Sequence, residues 1–142
     1  DEKVLPHVFE ISMGIDRSLY TILEHSLKKD EEHERMVLSL KPYLSPVHVG
    51  ILSLVKKDGL KEKTDEIFLN IKRKFDAFLD HSGAIGRRYR RLDEIGAPFA
   101  ITVDHQTLED NTVTIRKRDS MEQSRVNISE IDSILSGSVA FP

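Results

Sequence analysis

A chain of 142 residues, 39% hydrophobic and 32% charged, has room for one core, which excludes both a disordered chain and a pair of large domains. The formal net charge of −3 gives no general attraction to nucleic acid, so any such role must rest on local clusters. The lack of cysteine excludes disulfide frameworks and cysteine zinc sites, and no apolar run approaches the roughly 20 residues of a bilayer span, so a cytoplasmic protein is expected.

The chain starts at Asp1 and runs directly into Val4–Ser12, a segment rich in strand formers, which reads as a piece of a longer protein. Gly14 then gives way to Ile15, Leu19, Ile22, Leu23 and Leu27 at helical spacing, so a strand, a turn and a helix are expected. Lys28 to Arg35 has no apolar periodicity and reads as a solvated linker, with Met36 to Leu40 a short apolar run after it. The expected division is 1–29, a linker over 30–43, and a domain over 44–142.

Within that domain, Val47–Leu54 reads as a buried strand and Asp58-Gly59 as a turn. From Leu60 an amphipathic helix carries Ile67, Phe68, Ile71, Phe75, Phe78 and Leu79, with a possible strand at Phe78–Asp80. Ile85–Ile95 reads as a basic helix closed by Gly96. Phe99–Asp104 and Thr112–Asp119 read as strands around the turn residues Glu109-Asp110-Asn111, and Gln123–Ile128 as a last strand. Ser129 is the expected cap of a final helix through Leu135. This order predicts an α/β domain, a mixed sheet of about five strands flanked by helices.

Three groups of residues can carry chemistry. Glu10 and Ser12, two apart on a strand, would share a face and could hold a small amine, or simply face solvent. Arg17 in the first turn of a helix faces the positive dipole end, at a cost of roughly 0.3 to 1 kcal/mol, but beside free backbone N–H groups it would suit a phosphate. In Ser82–Gly96, SGAIGRRYRRLDEIG, Arg90 is expected to pair with Glu94, leaving Arg87, Arg88 and Arg91 as free donors and Tyr89 to stack or pack. That pattern fits either a solvated basic helix or an RNA-binding one. Arg116, Lys117 and Arg118 are a smaller basic group at a strand end, for a nucleic-acid backbone or for solubility alone. The six histidines show no metal-ligand spacing, and no metal site is expected.

The run E-x-S-x-G-x-x-R from Glu10 to Arg17 resembles motif 3 of class II aminoacyl-tRNA synthetases, in the form of the glycine enzyme, with Ile11 where the family more often has proline. IGRRYRRLDEIGAPFAITVD resembles the glycyl branch of the class IIa anticodon-binding domain, and the likeness runs on through TIRKRDSM and back to PVHVGILSL. The resemblance implies a strand-helix remnant of a class II catalytic domain followed by an anticodon-binding domain. It implies that Arg17 binds the ATP γ-phosphate, that Glu10 and Ser12 hold glycine, and that Arg87, Arg88, Tyr89, Arg91, Arg116 and Arg118 meet tRNA. The parent would be an ATP-dependent glycine–tRNA ligase, a homodimer using magnesium whose ligands lie elsewhere, and this piece alone would be inactive. The rival implication is a non-catalytic nucleic-acid or protein-binding module on the same fold, such as a polymerase accessory subunit.

Overall fold

The computed structural model describes residues 3–55 and 59–141. Its elements are α1 (Ile15–Ser26), β1 (Leu27–Asp30), β2 (Arg35–Leu38), β3 (Val49–Ser53), α2 (Leu60–Lys72), β4 (Ala77–Asp80), α3 (Ile85–Glu94), β5 (Phe99–Val103), α4 (His105–Asp110), β6 (Thr112–Lys117), β7 (Gln123–Asn127) and α5 (Ile131–Val139). The expected α/β architecture forms: a five-stranded mixed sheet in the order β4-β3-β5-β6-β7. β4, β3 and β5 run parallel, and β6 and β7 continue antiparallel.

Alternation along each strand divides the sheet into two faces. Val49, Ile51, Phe99, Ile101, Val103, Val113 and Ile115 point to one, where α2 contributes Leu60, Ile67 and Ile71 and α5 contributes Ile131 and Leu135 to the main core. Leu52 and Ala100 point to the other, against Leu92 of α3 and Ala97. Close packing there depends on Gly50, because a Cβ at this position would lie 2.2 Å from Leu92 Cδ1. Gly96, at φ +81°, closes α3 in a left-handed conformation, and its backbone passes so near β2 that a Cβ would sit 3.1 Å from the Leu38 carbonyl.

Several local expectations are corrected. Val4–Ser12 forms no strand: strand backbone needs a neighbouring ladder, and here Val4, Val8, Phe9 and Ile11 stand exposed with none. Lys28–Arg35 is not a solvated linker but most of a hairpin, β1 pairing antiparallel with β2 from Leu27↔Leu38 to Asp30↔Arg35. Its turn is tied by the Asp30 carboxylate, which accepts Arg35 Nε at 2.8 Å and the His33 backbone N–H at 3.2 Å. The Arg35 guanidinium first, and then the His33 imidazole, whose Nδ1 lies 3.1 Å from the same carboxylate, hold the Asp30 carboxyl at about 2.

Helix α2 stops at Lys72, and the chain then turns to give β4 at Ala77–Asp80, so Phe75 and Leu79 reach the core from a turn and a strand rather than from one helix. The region 105–110, expected as part of a turn, is α4, capped by Asp104, whose carboxylate accepts the Thr107 N–H at 3.1 Å while Thr107 Oγ1 accepts the Asp104 N–H. β6 ends at Lys117 rather than Asp119. Before α5 the capping side chain is Asn127, not Ser129; its Oδ1 accepts the Ser129 N–H at 3.0 Å. Gly59 adopts φ +76° at the head of α2, while Asp58 of the expected turn lies outside the described residues.

Candidate nucleic-acid interface

Helix α3 does not offer its arginines as one exposed row. Its turns face three ways, as 3.6 residues per turn require. Arg87 is exposed, beside a helix start at Ala84 that no side chain caps. Arg88 is 4% exposed and is not a free donor: Nη1 gives hydrogen bonds to the carbonyls of Ser53 at 2.6 Å and Asp80 at 3.3 Å, at the carboxyl ends of β3 and β4. Burial lowers its pKa, opposed by the nearby Asp80 charge, and its Nε is buried without a partner.

Arg91 is not free either. Its Nε meets Asp80 Oδ2 at 2.9 Å and its Nη2 meets the same oxygen and the Ser82 carbonyl at 2.5 Å. Burial pushes the Asp80 carboxyl up, but the Ser82 N–H and Arg91 outweigh it and hold the group below its ordinary range. The expected Arg90–Glu94 pair is absent among the described residues; both side chains line a groove between α3 and the hairpin with Lys29, Glu31 and Glu34.

Beneath α3 lies a buried set of charges spanning three elements. Asp93, 1% exposed, accepts Arg35 Nη1 at 2.8 Å from β2, and Arg116 Nη1 and Nη2 at 2.9 and 3.2 Å from β6. Arg116 also lies over the Tyr89 ring, 5.0 Å from its centroid, and the Tyr89 hydroxyl is 2.6 Å from Thr102 Oγ1. Tyr89 therefore packs, with one ring face already taken. Arg118, 2% exposed, gives hydrogen bonds to the carbonyls of Leu38, Leu40 and Gly96 and holds the hairpin onto the sheet. The strand-end basic group is thus mostly interior: only Lys117 is exposed, and it pairs with Glu122 at 3.0 Å.

What remains open is the α3 side of the sheet beyond α3 itself. Register places Thr102, Thr114 and Arg125 in one row across β5, β6 and β7, and Arg116 beside Gln123 in the next. Arg125 reaches over β6 to Asp104, with Nη1 2.7 Å from Oδ2 and Nη2 2.8 Å from Oδ1. The Arg125 bonds, ahead of the Thr107 contacts, lower the Asp104 carboxyl. Thr102 and Arg116 are buried within these rows, so the accessible surface is that of Thr114, Gln123 and Arg125, a hydroxyl, an amide and one planar cation, suited to hydrogen-bonding and stacking with an unpaired nucleic-acid strand. Sequence reasoning missed Arg125, Asp104, Thr102 and Thr114. A strand of alternation Gln123, Arg125, Asn127 against Ser124, Val126 carried the signal for the first of them.

At the other end, Glu10, Ser12 and Arg17 are all exposed. Ser12 and Arg17 border one open concavity at the start of α1, and Glu10 is outside it. Among the described residues no three histidine or carboxylate groups converge as a cation would need, and no helix is long and apolar enough to cross a membrane.

Residues 48–137 match the family model described as "Anticodon binding domain". The chain is 51% identical to the glycine–tRNA ligase of Archaeoglobus fulgidus over 137 residues, 94% of this chain and 24% of that protein. It is 50% identical to the glycine–tRNA ligase of Methanothrix thermoacetophila (99% of this chain, 26% of that one) and 53% identical to that of Methanocaldococcus jannaschii (92% and 22%). The chain thus spans about a quarter of the length of these relatives. Among solved structures, the RNA binding domain of threonyl-tRNA synthetase from Cryptosporidium parvum superposes with a TM-score of 0.66 at 22% identity, over 73% of this chain and 26% of that one. Prolyl-tRNA synthetase from the same organism gives 0.64 at 24%, over 72% and 23%, and both likenesses concern the fold. By the match over 48–137 and the sheet order just described, this chain belongs to the anticodon-binding-domain family.

Proposed function

We propose that the chain is the anticodon-arm-binding portion of a glycine–tRNA ligase, a cytoplasmic homodimer that activates glycine with ATP and transfers it to tRNA. The observation that carries this reading is identity of about half the residues to proteins of that name, extending over 94 to 99% of the chain and so through FEISMGIDR as well as the sheet domain. Glu10 and Ser12 would bind glycine and Arg17 the ATP γ-phosphate once the remaining catalytic elements surround them. Their exposure here is consistent with side chains that wait for partners outside this segment. Magnesium would offset phosphate charge in that reaction, held by groups of the longer ligase.

In this reading the RNA lies on the open sheet face and along the start of α3. Arg87 supplies a phosphate contact, and the α3-side polar row supplies contacts to unpaired bases. Arg88, Arg91, Arg116 and Arg118, spent on carbonyls and carboxylates, act by holding that surface in shape. Arg87→Ala is therefore expected to leave thermal unfolding unchanged, weaken glycine tRNA binding uniformly across anticodon sequences, and reduce the slope of log K against log salt by about one. An unchanged slope would remove Arg87 from the interface. No tRNA binding by the unaltered chain in low salt would remove the reading itself.

A further inference from the structure

On the reading of the open sheet face as an RNA surface, we propose that Arg125 is a stacking platform for one unpaired nucleobase of the bound loop. A guanidinium has five N–H donors in one plane. In Arg125 all five are engaged: Nε with Thr112 Oγ1 at 2.7 Å, Nη1 with Asp104 Oδ2 at 2.7 Å and Thr114 Oγ1 at 3.4 Å, Nη2 with Asp104 Oδ1 at 2.8 Å and the Thr112 carbonyl at 3.4 Å. A cation meant for phosphate or for a base edge needs donors to spare, and this one has none. Its remaining surface is the flat π face, the part of arginine that stacks on bases.

The placement agrees. Arg125 is an exposed residue on the edge strand β7, lying across β6 toward the end of β5, beyond the cover of α3. The bidentate Asp104 contact and the Thr112 bond fix the plane before any ligand arrives, so little side-chain freedom is lost on stacking. Tyr89, the aromatic nearest in sequence to the basic cluster, has Arg116 over its ring and its hydroxyl on Thr102. Arg125 supplies on the open face what Tyr89 does not.

The test compares the unaltered chain with Arg125→Lys, which keeps the charge but loses the plane, on glycine tRNA and on versions carrying an abasic nucleotide at one anticodon-loop position at a time. Lysine is expected to weaken binding to intact tRNA about tenfold, in line with the worth of one stacked base, with the salt slope unchanged. At one loop position the abasic RNA should bind both proteins alike. Asp104→Asn, which still caps α4, should weaken binding to intact tRNA by a smaller factor because the plane is no longer clamped. Equal binding of intact tRNA by the Lys variant and the unaltered chain, or a loss that persists at every abasic position, overturns the platform alone. Failure of the unaltered chain to bind any of these RNAs overturns the platform together with the RNA reading.

Discussion

Asp93→Ala is expected to lower the unfolding free energy by about 3 to 5 kcal/mol, a large share of the roughly 5 to 15 kcal/mol that a domain of this kind has. The carboxylate is 1% exposed and neutralises two guanidinium groups at once, Arg35 from the hairpin and Arg116 from β6. Removing it strands Arg116 in an interior where water cannot replace the lost oxygen atoms and leaves Arg35 with Asp30 as its one carboxylate, and most of the cost comes from the buried charge left unpaired rather than from the pair energies themselves. Urea unfolding measures the loss as a fall in midpoint of about 1 to 3 M for a typical slope. Replacing all three groups together, Arg35→Met, Asp93→Leu and Arg116→Met, should restore much of the stability, because the only charge that then loses a partner is Asp30, which is partly exposed and keeps its His33 contacts. A midpoint in Asp93→Ala close to that of the unaltered chain would mean that the three side chains are not packed as described.

The second large effect falls on Arg118. Its guanidinium bonds the carbonyls of Leu38 at 3.1 Å, Leu40 at 2.7 Å and Gly96 at 2.8 Å, and Asp119 at 2.8 and 2.9 Å. Arg118→Ala leaves the buried-side Leu40 carbonyl without its donor, while those of Leu38 and Gly96 each lose one donor and keep the Leu40 N–H and the Ser45 hydroxyl, for an expected loss of about 1 to 3 kcal/mol. Arg118→Lys should recover only part of it, since one ammonium cannot span the positions that a planar fork reaches. The local signature is the hairpin: amide exchange over 27–40 should rise in Arg118→Ala well before that of β3 and β5. Uniform exchange changes across the domain would contradict its role as the clasp of the hairpin.

Both residues show where the sequence was readable and where it was not. Apart from α4, the order of strands and helices from β3 to α5 was legible because each of the others carries its own apolar period, down to the helix end at Gly96. α4 has only six residues and no apolar stripe, and its one readable sign was the Asp104-x-x-Thr107 cap. The hairpin was missed because its defining contact, Arg35 to Asp93, joins residues 58 positions apart. The same limit governs the arginines: Arg87 and Arg88 are neighbours with the same side chain, yet one is exposed and the other lies beneath α3 against the Ser53 carbonyl. Which cation faces solvent depends on helix phase against a sheet whose position local pattern does not contain. The candidate RNA surface was legible as a family likeness and as a region, but the residues at its open side, Thr114 and Arg125, came from strand register.

The most direct test of the account is the affinity of the chain for glycine tRNA against the same tRNA with one anticodon base changed at a time. If the open sheet face reads unpaired bases, at least one substitution should weaken binding by about fivefold or more, as loss of a good base contact does, while the salt slope stays constant because the phosphate contacts persist. Equal affinity for every anticodon, with the same salt slope throughout, would leave only charge attraction and contradict recognition of the anticodon by this surface.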